Sequence, residues 1–350
     1  MPADPFARLP DLHLPDPAAT TPRRVAIVGA GIAGLVTARL LTRLGWPVTL
    51  FEKARGPGGR LATRRETVGH FDHGTQYFCA RDPRFQAMVD PLLRDGVLAT
   101  WQPRFVHLDS QGDFHSEPVK GWLVGAPRMS ALTRALAEPL TIVYDCRIAT
   151  LEPLCNTWLL LADDSREFAD FDVALLACPA PQAAVLAAPA TELAAALDAV
   201  TMLPCWAAML ALPAPLDLPW DAAQVDGSPL AWIANNSTKP GRADTPCWVL
   251  HATHEWSIEH EDDSPTTVAR ALAKEFLALI RQPKLKPAYL AGHRWRYARP
   301  DETLGQRCLF DPELGLGAAG DWCLAANVEG AFLSGVALAE AVANGTAVRP

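Results

Sequence analysis

Val25-Ala26-Ile27-Val28-Gly29-Ala30-Gly31-Ile32-Ala33-Gly34 is the stretch on which the fold turns. Its first four residues are apolar and β-branched at three positions, as a buried parallel strand requires. Leu35, Ala38, Leu41 and Leu44 then recur at helical spacing until Gly45, so a helix is predicted over 32–44. A second strand, Val48-Thr49-Leu50-Phe51, delivers Glu52. In this β-α-β setting each glycine has its own role. Gly29 permits the tight turn, Gly31 lets backbone approach a pyrophosphate, and Gly34 allows close helix–strand packing. Ile32 and Ala33 open the helix, whose free N–H groups and partial positive charge suit phosphates. Glu52, 21 positions after Gly31, is placed to accept hydrogen bonds from ribose hydroxyls. The bland alternative is three glycines that merely serve a turn. The full context predicts a dinucleotide site on a doubly wound sheet.

At 350 residues, two domains are expected. The composition, 49% hydrophobic and 20% charged, is that of a globular chain with a substantial core. A net charge of −8 argues against a nucleic-acid or anionic-membrane surface. The eight cysteines stand singly, which suits reduced thiols and a cytoplasmic setting. No apolar run is long enough for a membrane span. Residues 1–22, rich in proline and carrying Asp4, Asp11 and Asp16, read as a disordered tail without the pattern of a signal peptide. Further strands are expected at 140–143, 147–151, 158–161 and 173–177, and helices at 268–280 and 330–343. An Ala-rich helical stretch over 183–199 is broken at Pro189.

The next segment narrows the dinucleotide. Glu52-Lys53-Ala54-Arg55-Gly56-Pro57-Gly58-Gly59-Arg60 continues the second strand into a glycine-rich basic loop, where an NAD-only domain would normally enter another helix. A solvated basic turn is the alternative. The stretch resembles the second FAD signature of the flavin amine oxidase and desaturase superfamily. That resemblance implies non-covalent FAD, with Lys53, Gly58, Gly59, Arg60 and Leu61 at the cofactor; Arg60 suits phosphate oxygens as a planar donor. Residues 71–78, Phe-Asp-His-Gly-Thr-Gln-Tyr-Phe, are similar to the family's strand-turn beneath the flavin, which adds Gly74, Thr75 and Gln76. Ala319-Gly320-Asp321-Trp322 resembles the C-terminal signature, with Asp321 on the ribityl hydroxyls. Asn327-Val328-Glu329-Gly330-Ala331 then starts a helix aimed at the pyrimidine edge. Ile148 and Pro179 complete the implied cofactor set.

Within the superfamily the chain resembles the renalase family. The carrying residues are Lys53 through Arg60, Asp72 through Phe78, Gly125-Ala126-Pro127-Arg128-Met129-Ser130, Ala177-Cys178-Pro179-Ala180-Pro181-Gln182, His293-Arg294-Trp295-Arg296-Tyr297-Ala298 and Gly320-Asp321-Trp322. Arg128 departs from the pattern, which often has Gly there. The resemblance implies an oxidase that takes a hydride from 2- or 6-dihydro isomers of NAD(P) onto flavin N5, with molecular oxygen as acceptor and hydrogen peroxide as product. Such chemistry needs stacking and alignment more than an acid–base pair. An amine oxidase acting on a small amine, or a flavin-binding protein without turnover, are the alternatives. The first would use an aromatic cage and a lysine–water contact to the flavin, and none of Lys239, Lys274, Lys284 and Lys286 can be placed there from sequence.

Candidate catalytic residues are His251, Asn236, Gln76, Tyr77 and Trp322. His251 is equally readable as a satisfied half-buried histidine. Asn235-Asn236-Ser237 and Lys239-Pro240-Gly241-Arg242 read equally as a surface turn, and most tryptophans as core. His70-x-x-His73 and His251-x-x-His254 lack a third ligand, so no metal is expected. The fold class expected is α/β: a Rossmann-type FAD-binding domain (23–75, 126–182 and 300–350) plus a smaller α+β substrate domain (76–125 and 183–299). This is the PHBH/amine-oxidase-like two-domain flavoprotein arrangement, as monomer or homodimer.

Overall fold

A computed structural model describes residues 4–348. The 25–28 strand is fully buried between a parallel partner on each side, Val48–Phe51 and Val173–Leu176. Thr141–Val143 extends this sheet beyond Val48–Phe51, and Leu316–Ala318 with antiparallel Leu309–Asp311 extends it beyond Val173–Leu176. The first helix, Ile32–Arg43, lies against the C-terminal helix, Val328–Asn344. Their approach depends on Gly335, where a Cβ would stand 2.5 Å from the Ala33 carbonyl oxygen. Thr37 donates to the Gly335 carbonyl at 2.9 Å. A three-stranded antiparallel layer (Ile148–Leu154, Thr157–Ala162, Glu167–Phe171) covers the other side, sharing a core with Phe51.

A second sheet of seven strands runs in the order Tyr289–Pro300, Met202–Ala211, Cys247–Ala252, Leu230–Asn235, Ala222–Val225, Phe105–Leu108, Phe114–Ser116. Side chains alternate across it. Trp206, Leu210, Trp248 and Leu250 go to a core closed by Leu272 and Phe276 of the Pro265–Leu279 helix. The opposite face is turned toward the segment after the Gly69–Phe71 strand.

Three expectations are corrected here. Residues 4–22 are packed rather than loose, while residues 1–3 fall outside the described residues. Phe6 is fully buried, Asp4 pairs with Arg39 and Arg43, and Glu340 accepts from the His13 backbone N–H at 2.9 Å. Apolar Leu9, Leu12 and Leu14, spaced among the prolines, provide the contact surface. The helices Ala180–Leu186 and Thr191–Asp198, separated around Pro189, do not go with the second sheet. Ala183, Leu186, Leu193 and Leu197 share a core with Ala26 and Leu176, because the strand that precedes them exposes an apolar face beside their start. The Pro83–Arg94 helix likewise packs with the first core, where the Phe85 and Phe332 rings lie 4.9 Å apart. Among the described residues, no helix is long and apolar enough to cross a membrane.

Candidate active site

The three fingerprint glycines are separately constrained. Gly29 has φ +108°, and a Cβ there would sit 2.6 Å from the Ala177 carbonyl oxygen. At Gly34 a Cβ would be 2.1 Å from the Gly29 carbonyl oxygen, so close strand–helix packing demands glycine. Gly31, capping the first helix, faces open space. That open face lies beside the helix N–H groups, where phosphates bind. Glu52 is buried at the end of the second strand; one oxygen accepts from Ala30 N and the other from Ala54 N, both at 2.9 Å. Its carboxylate thereby holds the glycine turn while retaining lone pairs for a ribose.

The basic loop folds back onto this turn. Gly58 donates to the Ala30 carbonyl at 3.0 Å, and a Cβ on Gly59 would come within 3.9 Å of Gly31 Cα. Lys53 is exposed, Leu61 is buried beneath the loop, and Arg60 reaches inward. Its guanidinium holds Asp321 through two 2.7 Å bonds and the Ala298 carbonyl at 2.9 Å. Asp321 follows Gly320, whose N–H donates to Ser334 at 3.1 Å. Asn327 caps its own helix by accepting from Gly330 N at 2.8 Å, leading into Val328 and Ala331. Glu329 accepts from Arg81 N and Asp82 N, tying that helix to the turn after Phe78. Ile148 is buried beside Phe51, and Pro179 caps the Ala180–Leu186 helix. The chemistry of this donor set, with glycines wherever backbone must be approached, fits a dinucleotide.

Residues 71–77 run between the two sheets and divide their side chains. Phe71 packs on Met209 and Val249 of the second sheet. His73 meets His293 at 4.7 Å and Trp295 at 5.0 Å, and Tyr77 stacks on Trp122 at 3.7 Å with Trp232 at 5.7 Å. Opposite them, His293, Ala207, His251 and Trp232 form one cross-strand row. His251 Nε2 donates to the His73 carbonyl at 3.0 Å, leaving Nδ1 as the acceptor of the neutral ring. Burial pushes His251 down to about 4 and His73 to about 3, and it lowers His293 as well. The imidazoles are therefore neutral at pH 7.

Asp72 and Gln76 turn the other way, into a charged cluster. Asp72 is fully buried and accepts from Thr63 Oγ1 at 2.7 Å, Met129 N at 3.1 Å, Arg242 Nη2 at 2.5 Å and Lys239 Nζ at 3.5 Å. Burial opposes its charge, but Lys239 and Arg242 outweigh that and hold it at about 2. Gln76 Oε1 accepts from Lys239 at 3.2 Å. Asn236 is buried, donating to the His70 carbonyl at 2.9 Å. The reading of 235–242 as a surface turn is thus corrected, and Lys239, unplaced from sequence, is a buried partner of Gln76. Trp322 is corrected in the opposite direction. It is fully buried among Leu176, Ala180 and Cys323, with its indole N–H on the Cys178 carbonyl at 3.2 Å, so it packs in the core. Tyr77, Gln76, His251 and Asn236 all lie where residues 70–77 meet the second sheet and the 235–242 turn, although Gln76 and Asn236 spend their amide N–H groups on backbone carbonyls.

A Rossmann sheet with its glycine cradle, joined through the 71–77 segment to a second sheet bearing aromatic and neutral polar groups, defines a two-domain fold with a dinucleotide-binding site. Residues 27–92 match the NAD(P)-binding Rossmann-like domain, and residues 112–343 match the flavin containing amine oxidoreductase family. The chain belongs to that family. It is 51% identical over 43 residues to a zeta-carotene-forming phytoene desaturase of Myxococcus xanthus, covering 12% of this chain and 8% of that protein. It is 41% identical over 73 residues to an L-glutamate oxidase precursor of Streptomyces diastatochromogenes, covering 19% and 11%. The chain thus matches only a small part of the length of these curated relatives. In three dimensions it resembles a protein from Exiguobacterium sp. 255-15 described as a putative protoporphyrinogen oxidase, with TM-score 0.75 at 14% identity over 93% of this chain and 100% of that one. A putrescine oxidase triple mutant gives TM-score 0.69 at 14% identity over 91% and 98%.

Proposed function

We propose that the chain is a cytoplasmic oxidase that holds FAD non-covalently and takes a hydride from a small dihydronicotinamide-type molecule, the 2- or 6-dihydro isomers of NAD(P), with oxygen as acceptor and hydrogen peroxide as product. The observation that carries this reading is the charge of the buried cluster beside the 71–77 segment. Asp72, the buried acid beside Gln76, is already shared by two buried cations, Lys239 and Arg242. A substrate ammonium brought near would meet net positive charge without a free carboxylate, whereas the anionic phosphates of a neutral-ring substrate would be attracted by it. The neutral imidazoles of His251, His73 and His293 suit a carboxamide. Buried side-chain atoms without a protein partner include His73 Nδ1 and Trp232 Nε1 among the aromatic rings, and Arg242 Nε in the Asp72 cluster. A polar ligand or an ordered water would pair such groups. Bound flavin supplies a two-electron acceptor; the chain's own residues align the donor carbon and exclude water. The free state of the eight cysteines agrees with a reducing compartment.

A second reading rests on the ring walls. Tyr77 and Phe105 each lie within 3.7–5.7 Å of Trp122 and Trp232, which are 5.8 Å apart, an arrangement that would suit an amine through its cation–π attraction. Anaerobic mixing separates the two. Bleaching of the flavin by 2- and 6-dihydro NAD isomers, with the 4-dihydro form nearly inert, is expected. Bleaching by small amines alone would replace the first reading with the second, and bleaching by neither would leave a flavin protein without these activities.

A further inference from the structure

The cluster around Asp72 holds unequal charge. Its Oδ1 is occupied by Thr63 and Met129, so Lys239 and Arg242 share Oδ2. All three ionised side chains are 0–2% exposed. Arginine does not release its proton in proteins; lysine does when buried. Lys239 also has the weaker hold, 3.5 Å against 2.5 Å for Arg242. Its other neighbours are Gln76 Oε1 at 3.2 Å and the Trp101 ring face at 5.3 Å. Excess buried charge is relieved, then, at Lys239.

Gln76 turns that charge into geometry. While Lys239 donates to its Oε1, its Nε2 donates to the Asp72 carbonyl and, at 3.0 Å, to the Gly74 carbonyl. Beside Gly74, Thr75 N donates to the Arg60 carbonyl at 2.9 Å, and Arg60 grips Asp321. An unbroken chain of contacts leads from the lysine to the cofactor arms. We propose that Lys239 is a positioning residue with two states: charged, it locks Gln76 and the Gly74–Thr75 turn against Arg60; neutral, it relaxes them, so that the flavin environment follows one proton on this lysine. The inference rests on flavin lying along the 74–76 turn and not on which substrate is oxidised.

The surroundings leave Lys239 alone in the relevant range. Burial, reinforced by Arg242 and opposed by Asp72, brings it down to about 8. Asp72 at about 2 stays ionised and His251 at about 4 stays neutral. Tyr77 is raised above its ordinary 10 and Cys247 reaches about 11, both by burial. Arg128, in the wider field of Asp72 and Arg242, keeps its charge throughout.

The test is the flavin absorbance spectrum of the purified holoprotein between pH 6.5 and 9.5, for the natural chain, Lys239→Arg and Lys239→Met. We expect one single-proton transition near 8 in the natural chain. Lys239→Arg should keep the low-pH spectrum and Lys239→Met the high-pH spectrum across the range. A transition that persists in either variant, or that is missing from the natural chain, overturns the inference. Should the variants lose flavin, thermal unfolding of all three apoproteins decides. A native lysine at about 8, against 10.5 unfolded, makes the natural midpoint rise between those pH values. Both variants should lack that rise, and parallel curves for all three would overturn the proposal. Failure of the dihydronicotinamide isomers to bleach the flavin would sink the substrate reading and leave this result standing.

Discussion

Arg60 and Asp321, 261 positions apart, form a two-pronged ion pair with both bonds at 2.7 Å. Family resemblance assigns the arginine to phosphate oxygens and the aspartate to ribityl hydroxyls. The pair joins the basic loop to the turn that starts the C-terminal segment, with the Ala298 carbonyl as a third anchor. Arg60→Lys would keep the charge and lose the fork. Flavin affinity should fall roughly 10–100-fold, the worth of one or two charge-assisted bonds, and fluorescence titration of apoprotein with FAD reads it. An unchanged dissociation constant would remove the pair from the cofactor site.

Alanine substitutions should separate two glycines of one motif. At Gly34 the added Cβ meets backbone at 2.1 Å, so Gly34→Ala should lower stability by about 1–3 kcal/mol or prevent folding. At Gly31 the space is open, so Gly31→Ala should unfold like the natural chain yet bind flavin more weakly. Urea unfolding of apoproteins together with flavin titration tests both. Equal loss of stability in the two variants would contradict this division of roles.

The buried histidines His73 and His251 predict an acid-side weakness. His73 at about 3 and His251 at about 4 are neutral in the native state, while unfolded histidines take up protons near 6.5. The unfolded chain then binds more protons, so stability is complete above 6.5 and falls as pH drops toward 4. Each histidine contributes a slope of at most about 1.4 kcal/mol per pH unit. Urea unfolding at pH 7 and pH 5 should show the loss, and His251→Asn should reduce it; an undiminished loss would move its origin elsewhere.

Phe6 should matter as much as a residue of the central core. Its ring is fully buried, with the Arg39 guanidinium 5.2 Å from the ring centre. Phe6→Ala should cost about 3–5 kcal/mol, visible as a lowered thermal midpoint. Unfolding indistinguishable from the natural chain would mean that the tail is peripheral to stability.

Local rules made the Rossmann half legible. The strand at Val25–Val28, the Ile32–Arg43 helix and the placement of Glu52 all depend on neighbours within about thirty residues, and hydrophobic period and glycine stereochemistry express such neighbours directly. The C-terminal helix and the break at Pro189 were legible for the same reason. The buried charged cluster was not, because its chemistry depends on partners remote in the chain. Lys239 and Arg242 look like a basic turn until Asp72, 167 and 170 positions earlier, is folded against them. Trp322 looks available beside Asp321 because sequence does not say which way a helix turns its side chains, and packing turned this one into the core.

What the sequence by itself determined, then, is the class of cofactor site: glycine stereochemistry and a strand-end carboxylate admit few other uses. What only the tertiary structure decided is the pairing of Asp72 with Lys239 and Arg242, the neutrality of His73 and His251 and the packing of residues 4–22. The physical reason is common to all three. Ionisation and order depend on desolvation and on which opposite charge or apolar surface comes within a few ångströms, and those distances exist only once both sheets have closed on the 71–77 segment.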